Sequence, residues 1–346
     1  MKVLGRDRAI KFDTVTFGGL GVSMAFLGKG DRQKTIGWIG KAIGFGVLAL
    51  PLLAYGRSSM QRPPRMNLDR PLFEGISYQR TIRENPYPIV IHTVAVDLGA
   101  PGLEVLVTPG NPTPDNLNIN SEINTEINAR TTTEFLREFD LQLAVNASFF
   151  YPFSEDTPWE YYPHSGDRTN AVGLAISDGQ TYSEVKEDWP ALCFGGDRTV
   201  QIQIDGACPE GTSHAVAGNQ TLVEDGQVVP MEEKNQNWYG RTAVGIDPSG
   251  QKLWIVAVDG KQPEYSEGIT LTELAQIFLQ LGANSALNLD GGGSTTLAVE
   301  GSDGKAELLN APVQTKLPMR ERPIANHIGF YAQPLSTPPV QENRSP

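Results

Sequence analysis

The residues best suited to chemistry are gathered in one run, Ala286-Leu287-Asn288-Leu289-Asp290-Gly291-Gly292-Gly293-Ser294-Thr295-Thr296-Leu297. An apolar segment ends in Asn288 and Asp290, three glycines follow, and hydroxyl residues lead into a second apolar segment. Consecutive glycines are entropically costly to order, so they belong where the backbone takes φ > 0 or must approach a ligand closely. Their N–H groups, free of side chains, can form a concavity that binds an anion, with Asp290 beside it. A carboxylate next to an anion cradle suits an active site, although a hairpin closed by Asp-Gly also accounts for the glycines. Two familiar motifs are excluded. No Lys follows the glycines as in a P-loop, and Gly292-Gly293-Ser294-Thr295-Thr296 lacks the closing glycine of a nucleophile elbow.

Such a run needs elements to hold it. Thr270-Leu271-Thr272-Glu273 has capping-box spacing, with Thr270 as N-cap and Glu273 at N3. Leu274, Ile277, Phe278 and Leu281 then share one helical face, and Gly282 suits the C-terminal cap. The spacing predicts a buried helix that delivers the chain into an interior strand over Ser285–Leu289, with the glycines opening at the strand's end. A common place for ligand sites on sheets is such an end. The same pattern occurs earlier. Thr131 and Glu134 have capping-box spacing, Phe135, Leu136 and Phe139 are apolar, and Leu141-Gln142-Leu143-Ala144-Val145-Asn146 follows. Two helix–strand units thus end in an Asn, and the expectation is that Asn146 and Asn288 face one site. Chance similarity between the two units is the alternative.

The combination of Val258-Asp259-Gly260, Gly268-Ile269-Thr270-Leu271-Thr272-Glu273-Leu274-Ala275 and Leu287-Asn288-Leu289-Asp290-Gly291-Gly292-Gly293-Ser294-Thr295-Thr296 resembles the phosphodiester glycosidase family. Weaker matches are Ala144-Val145-Asn146-Ala147-Ser148-Phe149-Phe150, Arg241-Thr242-Ala243-Val244-Gly245, Leu309-Asn310-Ala311-Pro312 and Glu321-Arg322-Pro323-Ile324-Ala325-Asn326. They extend the resemblance over roughly residues 90–332. One departure is Asn146-Ala147-Ser148, where the family usually carries Asn-Gly-Gly. The resemblance implies hydrolysis of a sugar-1-phosphodiester at the glycosyl C–O bond, with an N-acetylhexosamine-like sugar. It marks Asp290 and Asp259 as the carboxylates, with Arg241 and Arg322 as clamps for phosphate charge. Gly291, Gly292, Gly293 and Ser294 would donate to phosphate oxygens, and Asn146 and Asn288 to sugar hydroxyls. Carboxylates can supply nucleophile or base for such a step, and a phosphate monoester leaves with little acid assistance. The structural alternatives are that Asp259-Gly260 is only a turn and that Arg322 pairs with a core carboxylate.

The rest of the chain sets the frame. With 28 Lys and Arg against 40 Asp and Glu, the net charge of −12 argues against nonspecific binding to nucleic acid or anionic membrane. Residues 1–41 nevertheless carry eight Lys and Arg against three Asp, and the uncharged, mostly apolar run Ala42–Tyr55 follows. A basic flank before such a run fits a signal peptide, and Ile36–Tyr55 reaches the length of a signal anchor. Either reading places the remainder outside the cytoplasm, in contact with the membrane if the segment is uncleaved. The expected organisation is a basic N-terminus with signal or anchor over 1–56, a linker over 57–70, one catalytic domain over 71–332 and a disordered tail over 333–346. Two cysteines provide no disulfide framework or cysteine-rich zinc site. In an exported protein Cys193 and Cys208 can form one disulfide; otherwise they are buried thiols. Trp159, Tyr161, Tyr162 and His164 crowd one loop, suited either to stacking on sugar rings or to anchoring the loop inward.

The expected fold is α+β, with mixed, mainly antiparallel sheets and two principal helices over Thr131–Asp140 and Thr270–Leu281. Short strands are expected over Ile89–Val96, Leu103–Val107, Ala171–Ser177, Thr199–Ile204 and His214–Val223. Arg241–Ile246 and Leu253–Val258 should pair around Asp247-Pro248-Ser249-Gly250. No cofactor is required by the glycosidase reading. Two other functions compete with it. One is a noncatalytic or biosynthetic exopolysaccharide-binding protein. The other is a metal-assisted phosphodiesterase using Asp259, Asp290 and Asn288 as oxygen ligands for Ca2+ or Mg2+.

Overall fold

The alternation of apolar side chains along Leu253–Val258 explains the centre of the fold. Leu253, Ile255 and Ala257 enter one core, while Trp254, Val256 and Val258 enter another on the opposite face of the strand. Successive side chains of a strand point to opposite faces, so an unbroken apolar run marks a sheet covered on both sides. The computed structural model describes residues 53, 55–111, 126–232 and 236–336. The compact unit that carries this sheet begins at Ser58.

The central sheet has eight strands in the order Leu68–Phe73, Ile76–Arg83, Ile89–Asp97, Lys252–Val258, Arg241–Ile246, Ser285–Asn288, Gln220–Glu224 and Gln227–Val228. Every neighbouring pair is antiparallel. One face shares a core with two five-stranded antiparallel sheets. The first of these contains Leu143–Asn146 between Leu297–Glu300 and His327–Tyr331. The second contains Thr212–Ala217 between Ala175–Ser177 and Ala191–Gly195. Val94, Val244 and Ile255 of the large sheet meet Leu143, Val145 and Phe330 of the first and Leu192 and Val216 of the second.

Helix α1, Thr132–Glu138, covers the outer face of the first five-stranded sheet through Phe135 and Leu136, which pack with Ala144 and Ala298. Helix α2, Leu271–Leu281, covers the outer face of the eight-stranded sheet through Leu274, Ile277 and Phe278. Each such side chain stabilises by about 1.5–3 kcal/mol when fully buried. Both helices start with a complete capping box, Thr131 with Glu134 and Thr270 with Glu273. Gly282 ends α2 at φ 89° in the left-handed conformation. The fold is therefore the expected α+β arrangement with two principal helices.

Three expectations are corrected. His214–Val223 is not one strand: Thr212–Ala217 and Gln220–Glu224 lie in different sheets, separated by Gly218 and Asn219. The stretch 57–70 is not simply a linker. Its end, Leu68–Arg70, pairs with Tyr78–Arg80, the Pro64 carbonyl accepts a hydrogen bond from Arg80 at 2.5 Å, and the Pro63 carbonyl accepts one from Tyr265 at 3.0 Å. The crowded aromatic loop contains a small hairpin, with Ser154–Glu155 antiparallel to Tyr161–Tyr162. Cys193 and Cys208 form a disulfide. Among the described residues no helix is long and apolar enough to cross a membrane. The expected signal or anchor segment, almost all of 1–56, and the tail beyond 336 lie outside the described residues.

Candidate active site

The strand Ser285–Asn288 leads Asp290 to the floor of a cleft of about 460 Å³. Phe149, Phe153, Glu155, Asn219, Tyr239, Arg241, Lys261, the three glycines and Arg322 surround it. The Asp290 backbone is fixed on both sides. Its N–H donates to the Ala147 carbonyl at 2.9 Å, and its carbonyl accepts from Asn146 Nδ2 at 2.6 Å. Its carboxylate accepts from the Gly291 N–H at 2.9 Å and from the Ser294 hydroxyl, with the Arg322 charge nearby. Burial outweighs these three effects and pushes the Asp290 carboxyl up to about 6.

Arg322 is ringed by acceptors. Its Nε donates to Gln314 Oε1 at 2.6 Å, Nη1 to Ser294 Oγ at 3.3 Å, and Nη2 forms an ion pair with Glu155. Its guanidinium also lies over the Phe153 ring, 4.5 Å from the centroid. Gly293 permits this approach, because a Cβ there would collide with the guanidinium. Gly291 has a parallel reason: its Cβ would lie 2.6 Å from the Gly240 carbonyl. The second carboxylate, Glu155, also accepts from the Thr315 N–H at 2.7 Å, so the small hairpin is tied to the loop that follows Val313.

Arg241, at the start of its strand, donates to the Ile269 carbonyl at 3.3 Å and the Asn237 carbonyl at 3.0 Å. Burial lowers its pKa. Lys261 projects over the Tyr239 ring, 4.2 Å from the centroid, with Arg241 5.6 Å from the same ring.

Several expected roles are redistributed by this geometry. Two of the three glycines offer no free N–H to a cradle. Gly291 N–H is spent on Asp290, Gly292 N–H on the Gly240 carbonyl at 2.7 Å, and the Ser294 and Thr295 N–H groups close turns on Gly291 and Gly292. The glycines instead provide close packing, and Ser294 faces Asp290 and Arg322. Asn146 does not face the cleft. It is fully buried, and its Oδ1 accepts from Thr242 Oγ1 at 2.8 Å and from the Thr296 N–H at 3.0 Å. It therefore braces both ends of the glycine run. Asn288 is also buried, with its Nδ2 donating to Asn219 Oδ1 at 2.8 Å; Asn219 is the one that lines the cleft.

Asp259 is withdrawn too. One carboxylate oxygen meets His92 Nε2 at 3.0 Å; the other accepts from Asn310 Nδ2 at 3.0 Å and the Ala311 N–H at 2.9 Å. Asn310 in turn donates to the Thr295 carbonyl and accepts from the Leu297 N–H. Asp259 thus acts on the glycine run through Asn310, from behind. Among the described residues no group of three His, Cys, Asp or Glu side chains is placed to hold a metal ion, and Asp259 and Asp290 do not join in one ligand set. Trp159, Tyr161, Tyr162 and His164 are not cleft-lining; Phe149, Phe153 and Tyr239 supply its aromatic surface. Glu155, Lys261, Tyr239 and Asn219 carry no motif that would single them out in the sequence. Ala147 and Ser148, where the family usually has two glycines, adopt ordinary negative-φ conformations. Ser148 uses its hydroxyl to accept from the Ala217 N–H at 3.2 Å.

Comparison with known proteins agrees with the fold. The catalytic domain of zebrafish N-acetylglucosamine-1-phosphodiester alpha-N-acetylglucosaminidase, solved with its auto-inhibiting pro-peptide, superposes with a TM-score of 0.52 at 20% identity. The match covers 76% of this chain and 85% of that one. The bovine enzyme of the same name is 45% identical over 62 residues, 18% of this chain and 11% of its own length. An uncharacterized SPbeta prophage-derived protein of Bacillus subtilis, YomE, is 32% identical over 155 residues, 40% of this chain and 23% of its own length. The chain thus spans less than a quarter of either curated relative. The family model described as phosphodiester glycosidase matches residues 139–331, more than half of the sequence, and the chain belongs to that family.

Proposed function

We propose that this chain hydrolyses a sugar-1-phosphodiester at the glycosyl C–O bond, releasing free sugar and a phosphate monoester. The proposed sugar is N-acetylhexosamine-like, and the proposed setting is extracytoplasmic glycan metabolism. The observation that carries the reading is Asp290: a buried carboxyl on the cleft floor, raised to about 6, hydrogen-bonded by Ser294 and facing Arg322. Near neutral pH such a group is mostly ionised. It can stabilise or attack an oxocarbenium-like anomeric carbon, and its burial limits the screening of its charge by water. Glu155, held by Arg322, supplies a second carboxylate on the cleft wall. Phe149 and Phe153 offer apolar faces to a sugar ring.

Export is supported by the basic N-terminal flank and by the Cys193–Cys208 disulfide, since such bonds persist in oxidising compartments. The test is product analysis with the methyl phosphodiester of N-acetylglucosamine-1-phosphate. Free N-acetylglucosamine and methyl phosphate are expected. Asp290→Asn, which keeps size while deleting charge, should lower turnover by about 10²–10⁴-fold. Release of N-acetylglucosamine-1-phosphate would mean P–O cleavage and defeat the proposal. Binding without turnover would favour a carbohydrate-binding role instead.

A further inference from the structure

The cleft contains three cations, and the structure treats them differently. Arg322 is compensated: Glu155 pairs with it and Asp290 lies close by. Arg241 and Lys261 have no carboxylate partner among the described residues, and Arg241 is spent only on two neutral carbonyls. In a chain of net charge −12, two cations at one aromatic ring with no carboxylate partner among the described residues are a feature that folding alone does not demand. An anion is what they lack.

We infer that Lys261 and Arg241, placed against the ring of Tyr239, form the subsite that holds the phosphate of the substrate, and that Arg322 serves the carboxylates instead. The inference rests on the phosphodiester reading for its substrate, but its anion chemistry stands on the geometry. Lys261 is exposed, yet its backbone is held firmly. Its φ of 57° lies in the left-handed region, a costly conformation for a residue with a side chain, one that persists where its surroundings enforce it. The enforcing contacts are short and internal. The Lys261 N–H donates to the Glu267 carbonyl at 3.3 Å, the next residue's N–H to the Ser266 carbonyl at 3.0 Å, and Gln262 Nε2 to the Ala311 carbonyl at 2.8 Å. The turn therefore has a rigid base, and the ammonium it presents lies 3.8 Å from where a Cβ on Gly292 would stand. That places a positive charge over the glycine run, whose Gly291 and Gly292 N–H groups are occupied. The glycines give room, and the cations give charge.

The division assigns the sugar to the Asp290, Phe149 and Phe153 side and the leaving phosphate to the Tyr239 side. A departing monoester gains negative charge as the C–O bond breaks, and preorganised cations at that point stabilise the transition state more than the ground state. Lys261 then acts as a substrate-binding residue that the sequence motifs do not mark.

The test measures binding of methyl phosphate to the full chain by titration calorimetry, alongside turnover of the sugar phosphodiester. Lys261→Met should weaken methyl phosphate binding by about tenfold or more, the loss typical of one charge-assisted contact. It should lower kcat as well as raise KM, because the contact strengthens as the leaving phosphate gains charge. Lys261→Arg should restore much of the binding. Arg322→Met should leave methyl phosphate binding within about threefold while reducing kcat. Unchanged methyl phosphate binding in Lys261→Met overturns the inference even if the wild type hydrolyses the diester. Glucuronate competing as well as methyl phosphate would also overturn it, because the subsite would then be one for carboxylates. Loss of methyl phosphate binding in Lys261→Met, with no diester turnover by the wild type, sustains the subsite and defeats only the proposed reaction.

Discussion

Asp290 stands at a cost that can be measured. Its folded pKa is raised from the ordinary aspartate value of 3.8 to about 6. A raised carboxyl binds its proton more tightly in the folded chain. Its contribution to stability is therefore complete below pH ~4 and is lost as the pH climbs through about 6. Above that, keeping the charge buried costs roughly 2–3 kcal/mol, since each pH unit between the two values is worth about 1.36 kcal/mol. Asp290→Asn cannot ionise. It should match the wild type in stability near pH 4 and exceed it by roughly 1–3 kcal/mol at pH 7.5, even as activity falls. Urea denaturation at the two pH values checks this, and a variant less stable than wild type at pH 7.5 would show that the charge supports the fold. The sequence marks Asp290 because glycines and a carboxylate at a strand end are a local signal. It also marks Asp259 and Asn146, whose types are right for chemistry but whose side chains are saturated by Asn310, His92, Thr242 and Thr296. Saturation is a tertiary property. No spacing of residues reveals it, and Glu155 and Lys261 escape notice for the converse reason.

Elements with their own local code were legible. Both capping boxes and the Gly282 terminus stand in the sequence as they stand in the fold. What stayed hidden was where strands change sheets. At Gly218 the chain passes so close to the Asn288 carbonyl and Leu287 that a Cβ would collide with them, and this crossing divides what reads as a single apolar segment. The two-residue strands of the Glu155 hairpin are too short to carry a period. The disulfide is an element-scale device as well. It ties the Ala191–Gly195 strand to the loop beyond Val200–Gln203, in a sheet whose residues do not line the cleft. Closing a loop of this size stabilises by about 2–4 kcal/mol. Replacing both cysteines with serine should lower the denaturation free energy by about that amount while kcat at 25 °C changes less than about twofold. A large fall in kcat in a still-folded variant would show that this sheet positions the cleft.

At the scale of the whole chain, the two helix–strand units lie in different sheets, and neither Asn146 nor Asn288 lines the cleft. Helix α1 backs the sheet that ends at Asn146, helix α2 backs the sheet that ends at Asn288, and the two sheets share one core. The strand ends are joined where Asn146 donates to the Asp290 carbonyl. The whole chain carries a net charge of −12 even with its basic N-terminus included, so the positive charge of the cleft is local and the net charge disfavours nonspecific binding to anionic membrane. The basic residues of 1–41 stand against that balance. In the proposed export their sense lies in orientation, since positive flanks stay in the cytoplasm while the following chain is carried across. The disulfide gives an independent reason to place the body in an oxidising compartment. Both lines lead to one expected outcome. Protease added to intact cells that express the full chain should remove the body, or the body should appear in the medium. Alkylation before lysis, followed by non-reducing mass spectrometry, should find no free thiol at Cys193 or Cys208. A body fully protected from protease, soluble in the cytoplasm and carrying two alkylated cysteines would refute export. Protection together with an intact disulfide would instead place it in an oxidising compartment that the protease does not reach, and osmotic shock before protease addition separates that case.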